Sequence, residues 1–157
     1  MLSSWGYVSL ICLLLVASWF DFRSRKIPNQ LIVLGILIGI LVNALGNTPG
    51  RFSFGLYGFI LGFGLMLIPH LFGWLGAGDV KLFAVVGLFL GPDNTLNAAI
   101  YTAMCGGVLA LLYIANIKVT KIRGNGVISH SNKTSLPYGV AIFGGTLMAL
   151  LFSVGKI

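Results

Sequence analysis

Acid is what this sequence lacks. Its 157 residues hold no Glu and only three Asp, at 21, 79 and 93, against ten Lys and Arg. Charged residues make up 8% of the chain, where a soluble domain carries about 25%. Together with 57% hydrophobic residues, this excludes a soluble globular domain and points to a polytopic membrane protein. The length leaves no room for a separate soluble domain of ordinary size, so residues 1–157 read as a single membrane-embedded domain. The net charge of +7 is therefore a topology signal rather than a nucleic-acid footprint, and membrane lipids, not nucleic acid, are the expected partners. Cysteine is equally sparse. Cys12 and Cys105 lie alone in apolar stretches, match no zinc or disulfide spacing, and read as small buried hydrophobes. His70 and His130 have no partner at metal spacing and read as solvated, so no metal or cofactor is expected.

What is present is apolar sequence in blocks. Segments at 4–20, 31–46, 54–72, 80–91, 95–115 and 136–154 predict an all-α protein of six transmembrane helices. The first has no basic residues before it and a basic cluster after it, so it reads as a retained helix rather than a signal peptide. The breaks between blocks are Ser24–Asn29, Gly46–Ser53, Gly73–Asp79, a tight turn at Gly91-Pro92-Asp93-Asn94, and a polar basic loop at Lys118–Ser135.

The basic residues set the sidedness. Arg23, Arg25, Lys26, Lys81, Lys118, Lys121, Arg123 and Lys133 fall in odd-numbered connections, and only Arg51 and Lys156 fall on the other side. Odd connections are then cytoplasmic and both termini face outward. This pairs Asp21 with Asp79 on one face and puts Asp93 on the other. From Asp79 to Gly91 is 13 residues, about 20 Å of helix against a hydrocarbon core of about 30 Å. Asp79 is therefore expected below the cytoplasmic surface, beside a water-filled cavity.

Glycines recur at Gly35-x-x-x-Gly39, Gly58-x-x-x-Gly62 and Gly87-x-x-x-Gly91, a spacing that lets membrane helices pack closely. Gly76 and Gly78 differ in flanking a loop-to-helix junction, where a missing side chain lets another backbone approach Asp79.

Each aspartate taken alone has an ordinary reading. Asp21 equally ends the first helix in water beside Arg23, Arg25 and Lys26, and Asp79 equally serves as an N-cap. Lys81, two residues past Asp79, points elsewhere on a helix and suits a lipid phosphate. Pro28-Asn29 starts the second helix, with a role in shaping a site entrance as the alternative, and Asp93 is a turn residue.

Phe20-Asp21-Phe22-Arg23 with Ile27-Pro28-Asn29 and Gly76-Ala77-Gly78-Asp79-Val80-Lys81-Leu82 together resemble the type IV prepilin peptidases, which are GxGD-type intramembrane aspartyl proteases. Leu136-Pro137-Tyr138-Gly139 is similar to that family's C-terminal Pro-Tyr-Gly stretch. The resemblance implies that Asp21 and Asp79 form a catalytic dyad. Gly76, Gly78, Lys81, Arg23, Pro28 and Asn29 would be its supporting residues. It implies cleavage of the short basic leader of prepilin or pseudopilin precursors at the cytoplasmic side of the bacterial inner membrane. Long members of the family also N-methylate the new N-terminus and carry a large loop with a four-cysteine zinc site. This sequence shows no such loop and looks like the short form associated with Flp-type pili, so no methyltransferase activity is expected.

The chemistry suits two carboxyls sharing one proton. The ionised one takes a proton from water and the protonated one donates to the scissile carbonyl oxygen. Three other readings compete. A proton- or ion-coupled transporter needs carboxylates reaching both faces, and the only opposite acid is Asp93. A presenilin-like protease carries a Pro-Ala-Leu motif that is missing here. An inactive pilus-assembly scaffold is separated only by experiment.

Overall fold

The computed structural model describes residues 4–46, 50–123 and 138–154. These residues form helices α1 (Ser4–Ser24), α2 (Asn29–Ala44), α3 (Arg51–Leu71), α4 (Ala77–Arg123) and α5 (Tyr138–Val154). Three helical stretches are long and apolar enough to cross a membrane, Trp5–Ser24, Arg51–Leu71 and Ala77–Leu112, and two shorter ones are also apolar. Their outer faces carry exposed Val8, Leu15, Leu34, Leu37, Ile60 and Leu111, the pattern of a bundle solvated by lipid.

The six expected segments thus appear as five helices, because the fourth and fifth run together. Helix α4 is not straight, however. Gly91 leaves helical geometry, with φ 75° and ψ 173°. A Cβ placed on Gly62 would lie 2.9 Å from the Phe83 carbonyl oxygen and 3.4 Å from Thr95 Cγ2. In an unbroken helix those two residues would stand about 18 Å apart. The chain therefore reverses at Gly91, and α4 is a hairpin with a first arm at 77–90 and a second from 92. The expected four-residue turn shrinks to a single residue. Pro92, which has no N–H to leave unpaired, opens the second arm directly, and Thr95 Oγ donates to the Gly91 carbonyl at 2.6 Å. Asp93 is exposed in the first turn of that arm. Helix also continues through Lys118–Arg123, where a basic loop was expected, since backbone bonding does not stop where apolarity does. The rest of that loop, with His130, Lys133 and Leu136-Pro137, lies outside the described residues, as does Lys156.

The first arm is the core of the molecule. From Asp79 to Leu90 every residue except Lys81 is buried, as a helix apolar on all sides requires. The glycine pairs lie where the neighbours close on it. Gly35 faces Leu13 and Val85, Gly39 faces Leu88 and Phe89, and Gly58 meets the backbone of Gly87 and Gly91. Buried Asn43 ties α2 to the same arm, its Nδ2 donating to Gly39 O at 2.8 Å and Leu88 O at 2.9 Å. The cysteines depart from expectation. Cys12 is exposed and Cys105 half-buried. A small apolar residue in a lipid-solvated helix gains little by facing inward.

Candidate functional site

Three helix ends converge at one end of the first arm. Asp21 sits in the last turn of α1, Asp79 in the first turn of α4, and Tyr138 and Gly139 open α5. The chain leaves α1 through Arg25, which takes a left-handed conformation (φ 50°) and donates its N–H to Asp21 O at 2.9 Å. It enters α2 at Pro28, the N-cap, so helix α2 begins at Asn29 as the sequence predicts.

The two carboxylates are both buried, Asp21 at 6% exposure and Asp79 at 8%, and lie within electrostatic range of each other. Each has one oxygen held by a helix N-terminus, where first-turn N–H groups have no intrahelical acceptor. Gly139 N–H donates to Asp21 Oδ2 at 2.6 Å, and Ser18 Oγ donates to Gly139 O at 3.1 Å, so α1 and α5 are pinned together around Asp21. Gly76 N–H donates to Asp79 Oδ2 at 3.2 Å. Gly76 O accepts the first amides of α4, from Asp79 and Val80, so Gly76 is the N-cap and Asp79 the third helical residue reaching back. The N-cap reading of Asp79 itself is thereby replaced. Asp93 lies just past the reversal at Gly91, at the far end of about 18 Å of helix from Asp79.

The supporting residues divide. Lys81 Nζ donates to Asn29 Oδ1 at 3.4 Å, which ties the start of α2 to α4 close to Asp79. The expected backbone approach to Asp79 comes from its own turn at Gly76. Gly78 instead faces the side chain of Ile27, 3.4 Å from where a Cβ would sit. Arg23 is exposed, and the cation in electrostatic range of Asp21 is Arg25. Among the described residues no three His, Cys, Asp or Glu side chains gather as a metal site would need.

The structure adds residues that sequence reasoning passed over. Gly139 meets Asp21 so closely that a Cβ there would lie 2.8 Å from Oδ2. The Tyr138 ring packs on Gly106 and is in electrostatic range of Asp79. His70 is half-buried rather than solvated, with Nδ1 at 2.8 Å from Leu75 O, and is in electrostatic range of Asp79. The Pro-Tyr-Gly stretch was the only signal for the first two, and His70 carried none. Beside the site a groove of about 400 Å³ opens between α2, α3 and the first arm, with Ile32, Ile36, Phe59 and Phe63 as walls and Asn29 and Lys81 at its polar end.

Two buried carboxylates thus come within electrostatic range of each other at a junction of helix ends in an apolar bundle. The chain belongs to the type IV leader peptidase family, whose model matches residues 8–111. It is 25% identical to a prepilin leader peptidase/N-methyltransferase of Bacillus subtilis over 149 residues, covering 92% of this chain and 54% of that protein. It is 29% identical to proteins of the same name from Pectobacterium carotovorum (116 residues; 69% of this chain, 41% of that one) and Escherichia coli K12 (104 residues; 62% and 45%). The chain thus spans about half the length of the curated relatives it matches. No solved structure matches it. Family and apolar helices together make it a multi-pass membrane protein.

Proposed function

We propose that this protein is a membrane aspartyl endopeptidase that removes the basic leader from prepilins of the Flp type, with Asp21 and Asp79 as the dyad. The observation that carries this reading is the pair of buried carboxylates in electrostatic range, each anchored through Oδ2 to a helix N-terminus. Anchoring one oxygen fixes each carboxyl and leaves its other oxygen for the attacking water. The ionised carboxyl takes a proton from that water and its partner protonates the scissile carbonyl oxygen, giving a tetrahedral diol; the first carboxyl then passes its proton to the leaving nitrogen and the second recovers one from the diol as the C–N bond breaks.

The proposed topology is six spans with both termini outside, the two arms of α4 counting separately, and the site on the cytoplasmic face. The concentration of Lys and Arg in odd connections supports it. The groove between α2, α3 and α4 suits the apolar helix that follows a prepilin leader, because its polar end lies at Lys81, beside the aspartate segment. The relatives are also named N-methyltransferases. For residues 1–157 we propose cleavage without methylation, since Cys12 and Cys105 among them do not make a four-cysteine site.

Co-expression with a Flp-type prepilin in bacterial membranes tests the reading. Intact-mass analysis of the pilin is expected to show loss of the leader and a new N-terminus without an added methyl group. A precursor that stays full length beside well-accumulated enzyme would sink the peptidase reading, and a methylated product would sink its narrower form.

A finer expectation concerns Gly139. In Gly139→Ala the new Cβ would sit 2.8 Å from Asp21 Oδ2 and 3.0 Å from Asp21 Cβ, so the carboxylate must turn away from the α5 N-terminus. Cleavage is expected to fall about 10²-fold, the effect of displacing a reacting group by about 1 Å. The measurement is initial rate in proteoliposomes, with accumulation in the membrane as the folding control.

A further inference from the structure

We infer that His70 is a positioning residue for Asp79, acting through the single peptide group between Leu75 and Gly76. The proposal rests on the peptidase reading for its kinetic half only.

The geometry is a relay across one rigid plane. His70 Nδ1 lies 2.8 Å from Leu75 O. A carbonyl oxygen only accepts, so Nδ1 carries the hydrogen. The Leu75 carbonyl and the Gly76 amide belong to the same peptide, which is trans and planar, so C=O and N–H point in opposite directions. On the far side, Gly76 N–H donates to Asp79 Oδ2 at 3.2 Å. Rotating this peptide would break both bonds at once. Holding its carbonyl fixes the direction of its N–H, and donation to the carbonyl strengthens the N–H as a donor.

The side-chain bond is not needed to make the turn. Gly73 N–H already donates to His70 O at 2.8 Å and Trp74 N–H to Pro69 O at 3.1 Å, with Gly73 in the left-handed region at φ 76°. These backbone bonds close the end of α3. The imidazole reaches beyond them, to the peptide whose N–H donates to Asp79 Oδ2. It lies in the last turn of α3, so it ties the carboxylate to the helix packed most extensively along α4.

The test compares His70→Leu, His70→Asn and His70→Gln in the full chain, in nanodiscs. Asn places a donor nitrogen where Nδ1 stands, whereas Gln places one where Nε2 stands. With 15N-glycine labelling, the Gly76 amide proton is expected to move upfield in His70→Leu and His70→Gln and to return in His70→Asn. Cleavage kcat is expected to fall about 3- to 10-fold in the first two with KM unchanged, the effect of one hydrogen bond, and to recover in His70→Asn. An unmoved Gly76 signal in His70→Leu overturns the proposal. So does a moved signal with unchanged kcat, or a failure of Asn to restore what Leu removes. If the wild-type chain cuts no prepilin, the peptidase reading falls by itself, and the amide signal still decides whether His70 positions this peptide.

Discussion

Asp21→Asn and Asp79→Asn each lower prepilin cleavage by about 10²–10⁴-fold or to background, while both variants accumulate in the membrane at the wild-type level. The geometry is the reason that both halves of this outcome are expected together. Asn keeps an acceptor oxygen for the neighbouring amide, Gly139 at 2.6 Å from Asp21 and Gly76 at 3.2 Å from Asp79, so neither helix junction loses its tie. What Asn cannot do is exchange a proton with water or with the peptide. Two carboxyls working as a unit also make the double variant no worse than either single one. Quantifying processed pilin by mass, with each variant's abundance measured in the same membranes, checks this. An Asn variant that retains a tenth or more of wild-type cleavage removes that aspartate from the dyad.

Gly87→Val is expected to be the most damaging change away from the carboxylates. A Cβ on Gly87 would overlap the Gly58 carbonyl oxygen, and one on Gly58 would overlap the Gly87 carbonyl oxygen. These are backbone atoms on two packed helices, so no side chain can turn aside to make room. Overpacking of a tight core costs about 1–3 kcal/mol, and a branched side chain against backbone belongs at or above the top of that range. The helices must part, and the first arm of α4 moves with Asp79 on its end. Stability, read as the midpoint of SDS unfolding in mixed micelles, and cleavage rate are both expected to fall, the rate by about 10²-fold or more. Gly107→Val is the matched control, because a Cβ at Gly107 meets nothing within 4 Å. Equal stability of the two variants would show that the close approach at Gly58 and Gly87 is not a stabilising contact.

The limits of sequence reading follow from the same chemistry. Helices were legible because runs of apolar residues between polar breaks admit little else in a membrane. The reversal at Gly91 was legible because Gly-Pro interrupts a helix, although its compression to one residue was not. The faces were obscure. These helices are apolar on nearly every side, so hydrophobic periodicity does not separate lipid from core, and Cys12, which reads as buried, is exposed. Glycine spacing marked the packed faces better than hydrophobicity did. At the site, both aspartates stood out by their scarcity and their motifs. Their backbone partners did not: an amide carries no signature in a sequence, and Gly139 meets Asp21 across 118 positions. His70 reads as solvated for a related reason, since its acceptor is also a main-chain atom, at Leu75.

The reversal at Gly91 has a consequence for how the protein is made. The first arm spans residues 77–90, about 21 Å of helix, too short to be held across a bilayer alone. No hydrophilic linker separates it from the second arm, and Gly91 itself is buried under the ring of Phe54. The two arms are therefore expected to enter the membrane together, as one hairpin. The core helix of the bundle, with Asp79 at its tip, is then expected to arrive already paired.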